Sequence, residues 1–101
     1  MEIRTSSVNF GSFEGSGPRT SNATVTFTGN VAQAVAIMTG FKAAFSSSDG
    51  DHHLGNLDIR VRTDPPSGNS VNVTVTFGLR DWSGTWDDKY EGQVFFAVIA
   101  E

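Results

Sequence analysis

Cysteine is absent from this chain of 101 residues, so no disulfide, thiolate metal site or cysteine nucleophile is available to it. That absence fits a reducing compartment. Basic side chains are scarce, seven Lys and Arg against eleven Asp and Glu, and the formal net charge is −4. Nucleic acids and anionic membranes both select concentrated positive charge, so neither is expected as a partner. No apolar run approaches the roughly 20 residues of a membrane-spanning helix. Met1-Glu2-Ile3-Arg4 opens on charge without an apolar signal core. It predicts a protein that is cytoplasmic as synthesised, with leaderless release as the alternative. The length predicts a single domain over residues 1–101. A core of that size is small, and oligomerisation would add to its stability.

What the chain does have is period-two alternation. Ala23, Val25 and Phe27 alternate with threonines, and Leu57, Ile59 and Val61 with Asp58, Arg60 and Arg62. Val71, Val73, Val75, Phe77 and Leu79 alternate with polar residues and Gly78. These patterns predict half-buried antiparallel strands with one wet face each. Residues 94–99 are apolar throughout, so that strand is either covered on both faces or carries an interface on one. Either Val94, Phe96 and Val98 face the sandwich and Phe95, Ala97 and Ile99 a partner, or the reverse. Residues 31–38 suit helix or strand, but Gly40 and the apolar residues after it favour a strand pair or one bent strand. Val8 and Phe10 predict a first strand, and the Gly/Ser-rich residues 11–21 a long surface loop. Turn chemistry recurs at Gly29-Asn30, residues 46–50, residues 64–69 and Trp82-Ser83-Gly84. The spacing predicts an all-β sandwich or barrel of about five or six strands.

One loop is chemically unusual. Residues 81–90 hold both tryptophans, the only tyrosine and Asp81, Asp87 and Asp88. Aromatic rings beside carboxylates suit a sugar, whose apolar C–H face stacks on the ring while its hydroxyls donate to the acid. The competing reading is that these aromatics close one end of the sandwich. Sugar binding predicts Trp86 as the exposed platform and Trp82 as the more buried indole.

A second polar cluster is Asp49-Gly50-Asp51-His52-His53. Calcium would use Asp49 and Asp51, whereas a transition metal would use His52 and His53. The EF-hand positions are missing and adjacent strand histidines point apart, so the expectation is a metal-free turn capped by its aspartates. Asp81, Asp87 and Asp88 invite comparison with paired glycosidase acids, but a sandwich this small offers no deep pocket, and no enzyme is expected. Arg60 and Arg62 share one wet face and either pair with nearby acids or reach a bound ligand. Asn22-Ala23-Thr24 and Asn72-Val73-Thr74 fit the glycosylation sequon and read most simply as Thr-rich strand edges.

The segment order resembles the H-type lectin domain, the fold of snail agglutinin and of the C-terminal part of discoidins, and also H-type-like bacterial modules. The resemblance is one of layout over residues 23–101. It rests on Val25-Thr26-Phe27, residues 31–38, the loop 46–53, Asn56-Leu57-Asp58-Ile59-Arg60, residues 71–79, Thr85-Trp86 and the apolar residues 94–100. It implies a six-stranded antiparallel β-sandwich, assembled as a homo-oligomer, a trimer or hexamer. It also implies non-catalytic binding of a glycan of the galactose or N-acetylgalactosamine type, needing no cofactor unless calcium. The implied ligand residues are Trp86, Asp87, Asp88 and Tyr90, joined by Arg60 or Arg62 from a neighbouring subunit. Asp87 follows Trp86 where the snail lectin has histidine. The alternative is an assembly module that oligomerises or decorates a larger complex without binding sugar.

Overall fold

The computed structural model describes residues 1–14, 17–46, 53–86 and 89–101. Six strands follow in order: β1 (Glu2–Glu14), β2 (Arg19–Thr26), β3 (Ala34–Phe45), β4 (Leu54–Thr63), β5 (Ser70–Asp81) and β6 (Lys89–Ala100). They form two three-stranded antiparallel sheets, β1-β6-β3 and β2-β5-β4, and no helix occurs among the described residues. The expected all-β, six-stranded sandwich is what the chain adopts.

Alternation explains which residues meet between the sheets. Central strand β5 sends Val71, Val73, Val75, Phe77 and Leu79 inward, and central strand β6 sends Val94, Phe96 and Val98 to meet them. Each fully buried side chain of this size stabilises the fold by roughly 1.5–3 kcal/mol before entropy is counted. Phe10, Phe77 and Tyr90 form an aromatic chain at one end of this core, with ring centroids 5.1 and 5.4 Å apart. Gly92 makes room for it: a methyl group there would lie 2.7 Å from Cζ of Phe77. The β4–β5 hairpin closes on Gly68 and Asn69, with Ser67 and Ser70 exchanging both backbone hydrogen bonds. Gly68 has φ +60°, as a type II′ turn requires at its first central residue.

One expectation changes. The long loop over residues 11–21 shrinks to the connection between Glu14 and Arg19, because β1 and β2 find ladder partners in β6 and β5. Arg19 anchors the corner by donating to the carbonyls of Gly11 (2.8 Å) and Tyr90 (2.9 Å) and by stacking 4.5 Å over the Tyr90 ring. Local Gly/Ser content yields here to long-range pairing. Of the two outcomes open to the next stretch, the chain takes one bent strand, residues 34–45, with a register shift between Met38 and Gly40. The residues before it are tied down by Val31 N–H to the Gly68 carbonyl (2.8 Å) and by Gln33 paired with Glu101.

The outer faces of the two sheets differ in kind. Outside β2-β5-β4 the rows are polar, Thr20–Thr76–Arg60 and Asn22–Thr74–Arg62. Outside β1-β6-β3 they are apolar for half their length, Ile3–Ile99–Val35 and Thr5–Ala97–Ile37. Of the two orientations open to the terminal strand, Val94, Phe96 and Val98 face inward, while Phe95, Ala97 and Ile99 lie half-buried on the outside.

The sides of the sandwich differ as well. Between β1 and β2, Glu2 accepts from Thr28 N–H (3.0 Å) and from the Thr28 hydroxyl, and Arg4 lies over the Phe27 ring. Between β3 and β4, the Thr63 hydroxyl donates to the Ala34 carbonyl at 3.3 Å.

Candidate functional site

The aromatic loop begins where β5 ends. Asp81 is buried and its carboxylate faces back into the turn, accepting from Ser83 N–H at 3.0 Å and from the Ser83 hydroxyl. This is the aspartate turn expected where a strand reverses. Gly84, at φ +87°, carries the chain through a conformation that L side chains rarely adopt. A further hydroxyl contact, Ser83 to Thr85 at 3.0 Å, completes the local network.

Within this frame the two indoles have exchanged the roles expected of them. Trp82 is 76% exposed. It is nonetheless held, because its backbone N–H donates to the His53 carbonyl at 3.0 Å and its ring meets the His53 imidazole edge-on, 5.9 Å away at 87°. Trp86, expected to be the open platform, is half-buried against the core, 6.4 Å from the Tyr90 ring and 5.8 Å below the Arg80 guanidinium. The physical reason is the vacant position at Gly78, where the wet face of β5 lacks a side chain and Trp86 settles beside Pro18.

Tyr90 is also corrected. It belongs to β6, is 1% exposed and donates its hydroxyl toward the carbonyls of Gly17 (3.2 Å) and Phe77 (3.3 Å). No ligand reaches a ring so enclosed. Its apolar body completes the aromatic chain of the core while its hydroxyl satisfies backbone acceptors.

Arg60 and Arg62 are not brought to the loop within one chain. Arg60 makes a two-pronged contact with Asp58, both bonds at 3.1 Å, and Arg62 lies 3.7 Å from Asp64. Six residues along β4 separate Arg60 from Leu54 at the loop end, about 20 Å at strand spacing. Asp64 also accepts from the Asn72 amide and from the Thr74 hydroxyl (3.0 Å). Those two bonds, the Asn72 one foremost, hold its carboxyl below the ordinary range, with Arg62 adding to the effect.

Asp87 and Asp88 lie outside the described residues, as do Asp49, Asp51 and His52. Of the histidine pair, His53 is described, exposed and engaged with Trp82. Among the described residues no group of three or more His, Cys, Asp or Glu gathers as a metal site. Asp81, turned into its own loop, is not presented as an acid or base.

Two features of the site were open to sequence reasoning and were missed. Gly78, interrupting the polar row Asn72-Thr74-Thr76, marks the slot for an indole. Asp81 followed two residues later by Ser83 marks a capped turn, which leaves the intervening Trp82 at the tip.

Set against protein-family profiles, characterised proteins and solved structures, the chain matches none of them.

Proposed function

We propose that the protein is a non-catalytic carbohydrate-binding β-sandwich that acts as an oligomer, with Trp82 as the stacking surface. The observation that carries this reading is an indole 76% exposed yet held at its backbone and along its edge. An exposed aromatic that is already ordered loses little conformational freedom when a pyranose face covers it. The His53 imidazole meets its edge and Ser83 follows it in the turn, supplying an imidazole and a hydroxyl for sugar hydroxyls. The layout resemblance to H-type lectins supports galactose or N-acetylgalactosamine as the sugar class. Asp87 and Asp88 follow in the same loop and supply acceptors on this reading.

A single shallow site of this kind binds weakly, and several sites on one assembly raise avidity by orders of magnitude. The apolar row Phe95, Ala97 and Ile99 on the outside of the terminal strand is the expected contact to other copies. That same dry face favours a second reading, an assembly module in which the loop serves packing alone.

A glycan array probed with the full chain, with and without calcium, separates the two. Carbohydrate binding predicts retention on galactose-type glycans that Trp82→Ala removes. No retention on any glycan by a correctly assembled protein leaves the assembly module.

A further inference from the structure

Among the described residues, Arg80 is the arginine left without an oxygen partner. Arg4 pairs with Glu2, Arg60 with Asp58 and Arg62 with Asp64, and Arg19 donates to two backbone carbonyls. The Arg80 guanidinium lies 5.8 Å from the centre of the Trp86 ring, and its Nε is buried with no acceptor. A buried charged donor without an acceptor costs free energy, and an anion brought to it recovers that loss. The described acids nearby are committed elsewhere. Asp58 gives both carboxylate oxygens to Arg60, and Asp81 accepts from Ser83 in its own turn. The ladder register sets what surrounds the guanidinium. On the outer face of β2-β5-β4, Arg80 stands opposite exposed Asn56, with Gly78 and its covering Trp86 two residues before it. The bond from Trp82 N–H to the His53 carbonyl extends the β4–β5 ladder past Asp81, so alternation turns Trp82 to the same side as Arg80. Two residues of strand separate them, about 7 Å. Gly84 leaves the guanidinium uncovered on the loop side, where a methyl group would lie 3.7 Å from its Nη1.

We infer that Arg80 receives the carboxylate of an acidic sugar whose pyranose ring stacks on Trp82, so that the ligand of this site is a galacturonate-type uronic acid. The inference rests on the carbohydrate reading above and narrows it to a charged sugar. A galacturonate has the galactose ring with its exocyclic hydroxymethyl group oxidised to a carboxylate. Stacked on Trp82, that ring carries its charge across the short span to Arg80. The planar fork of a guanidinium matches a carboxylate with two parallel hydrogen bonds, which a neutral sugar does not supply. Trp86 backs the guanidinium and orients the fork before the ligand arrives, so less freedom is lost on binding. Asn56, across the ladder from Arg80, offers an amide to a ring hydroxyl. A net charge of −4 gives an anion no long-range attraction, so the hold on it is this local contact. One guanidinium between two indoles suits a singly charged group on an apolar ring better than a phosphate, which draws several cations.

The test titrates the full chain with three probes built on one ring: methyl galactoside, methyl galacturonoside and the methyl ester of the latter. Nuclear magnetic resonance reads the affinities, weak ones included, and shows in the same spectra that each variant is folded. The galacturonoside is expected to bind about tenfold more tightly than the galactoside, the size of one charge-assisted hydrogen bond. The ester has the same shape without the charge and is expected to fall back to the galactoside level. Arg80→Gln should bring the ratio of the two sugars to about one, whereas Lys42→Gln, an equal loss of charge on the other sheet, should keep it near ten. Should Arg80→Gln fail to fold, Arg80→Lys replaces it, keeping the charge without the fork, and is expected to lose most of the preference. Equal affinities for galactoside and galacturonoside in the native chain overturn the role of Arg80 and leave the carbohydrate reading standing. A preference that survives in the ester or in the folded Arg80 variant does the same. Binding of neither sugar overturns both. N-acetylglutamate bound as tightly as the galacturonoside overturns the sugar and assigns Arg80 to an acidic peptide.

Discussion

The indole of Trp86 rests over Gly78: a methyl group on that glycine would stand 2.9 Å from Cη2 of the ring and 3.0 Å from Cα of Pro18. A strand residue without a side chain thus provides the floor on which the loop after it is laid down. The contact joins β5, the start of β2 and the aromatic loop at one point, and it leaves Trp82 alone at the tip.

Gly78→Ala is expected to lift Trp86 from this slot. Overpacking of this kind costs about 1–3 kcal/mol, and Trp86→Ala, which empties the slot, about 2–4 kcal/mol given its partial burial. Urea unfolding curves measure both. A Trp86→Ala protein as stable as the native one would show that the loop does not depend on this contact.

Trp82→Ala is expected to behave oppositely, changing stability by less than about 0.5 kcal/mol, as exposed substitutions do. Its fluorescence contribution should be that of a solvated indole, readily quenched by iodide, whereas Trp86 should resist quenching. Equal quenching of the two indoles in single-tryptophan variants would contradict the exposures described.

Gly92→Ala is expected to be strongly damaging. Its new methyl group would meet the Lys42 carbonyl at 2.2 Å and Phe77 Cζ at 2.7 Å, and neither the ladder nor the buried ring can withdraw. A loss above about 3 kcal/mol, or failure to fold, is the expected outcome. A melting temperature within a few degrees of native would refute it.

Acid should loosen the fold through two surface carboxyls. Thr28 on Glu2, through its hydroxyl and its N–H, and Asn72 with Thr74 on Asp64 hold both groups below their ordinary values. The unfolded chain therefore takes up protons first as pH falls. The stabilisation is complete above the ordinary carboxyl range of about pH 4–4.5 and is lost as pH drops through the lower folded-state values. Asp64→Asn and Glu2→Gln should each flatten the fall in melting temperature between pH 6 and 3. Unchanged slopes in both variants would exclude this origin.

The amino-acid order by itself determined the strands and their inward rows, because a period of two permits one face to be buried and the other wetted. Val71 to Leu79 and the outward placement of Arg60 and Arg62 follow from that rule alone. The doubly apolar character of residues 94–99 left two outcomes open, cover on both faces or an interface on one, and the fold leaves the outer side of β6 half-buried. What alternation does not encode is which strands become neighbours. That was decided only when β1 and β2 extended through a Gly/Ser-rich stretch to pair with β6 and β5, pinned by Arg19 on the Tyr90 ring. The fate of the three loop aromatics was likewise tertiary. Tyr90 lies in register on the inner face of β6, Trp86 found the vacancy at Gly78, and Trp82 was left outside by the Asp81–Ser83 turn. Aromatic content tells that rings are present; whether a ring packs or faces water depends on the space the rest of the chain leaves for it.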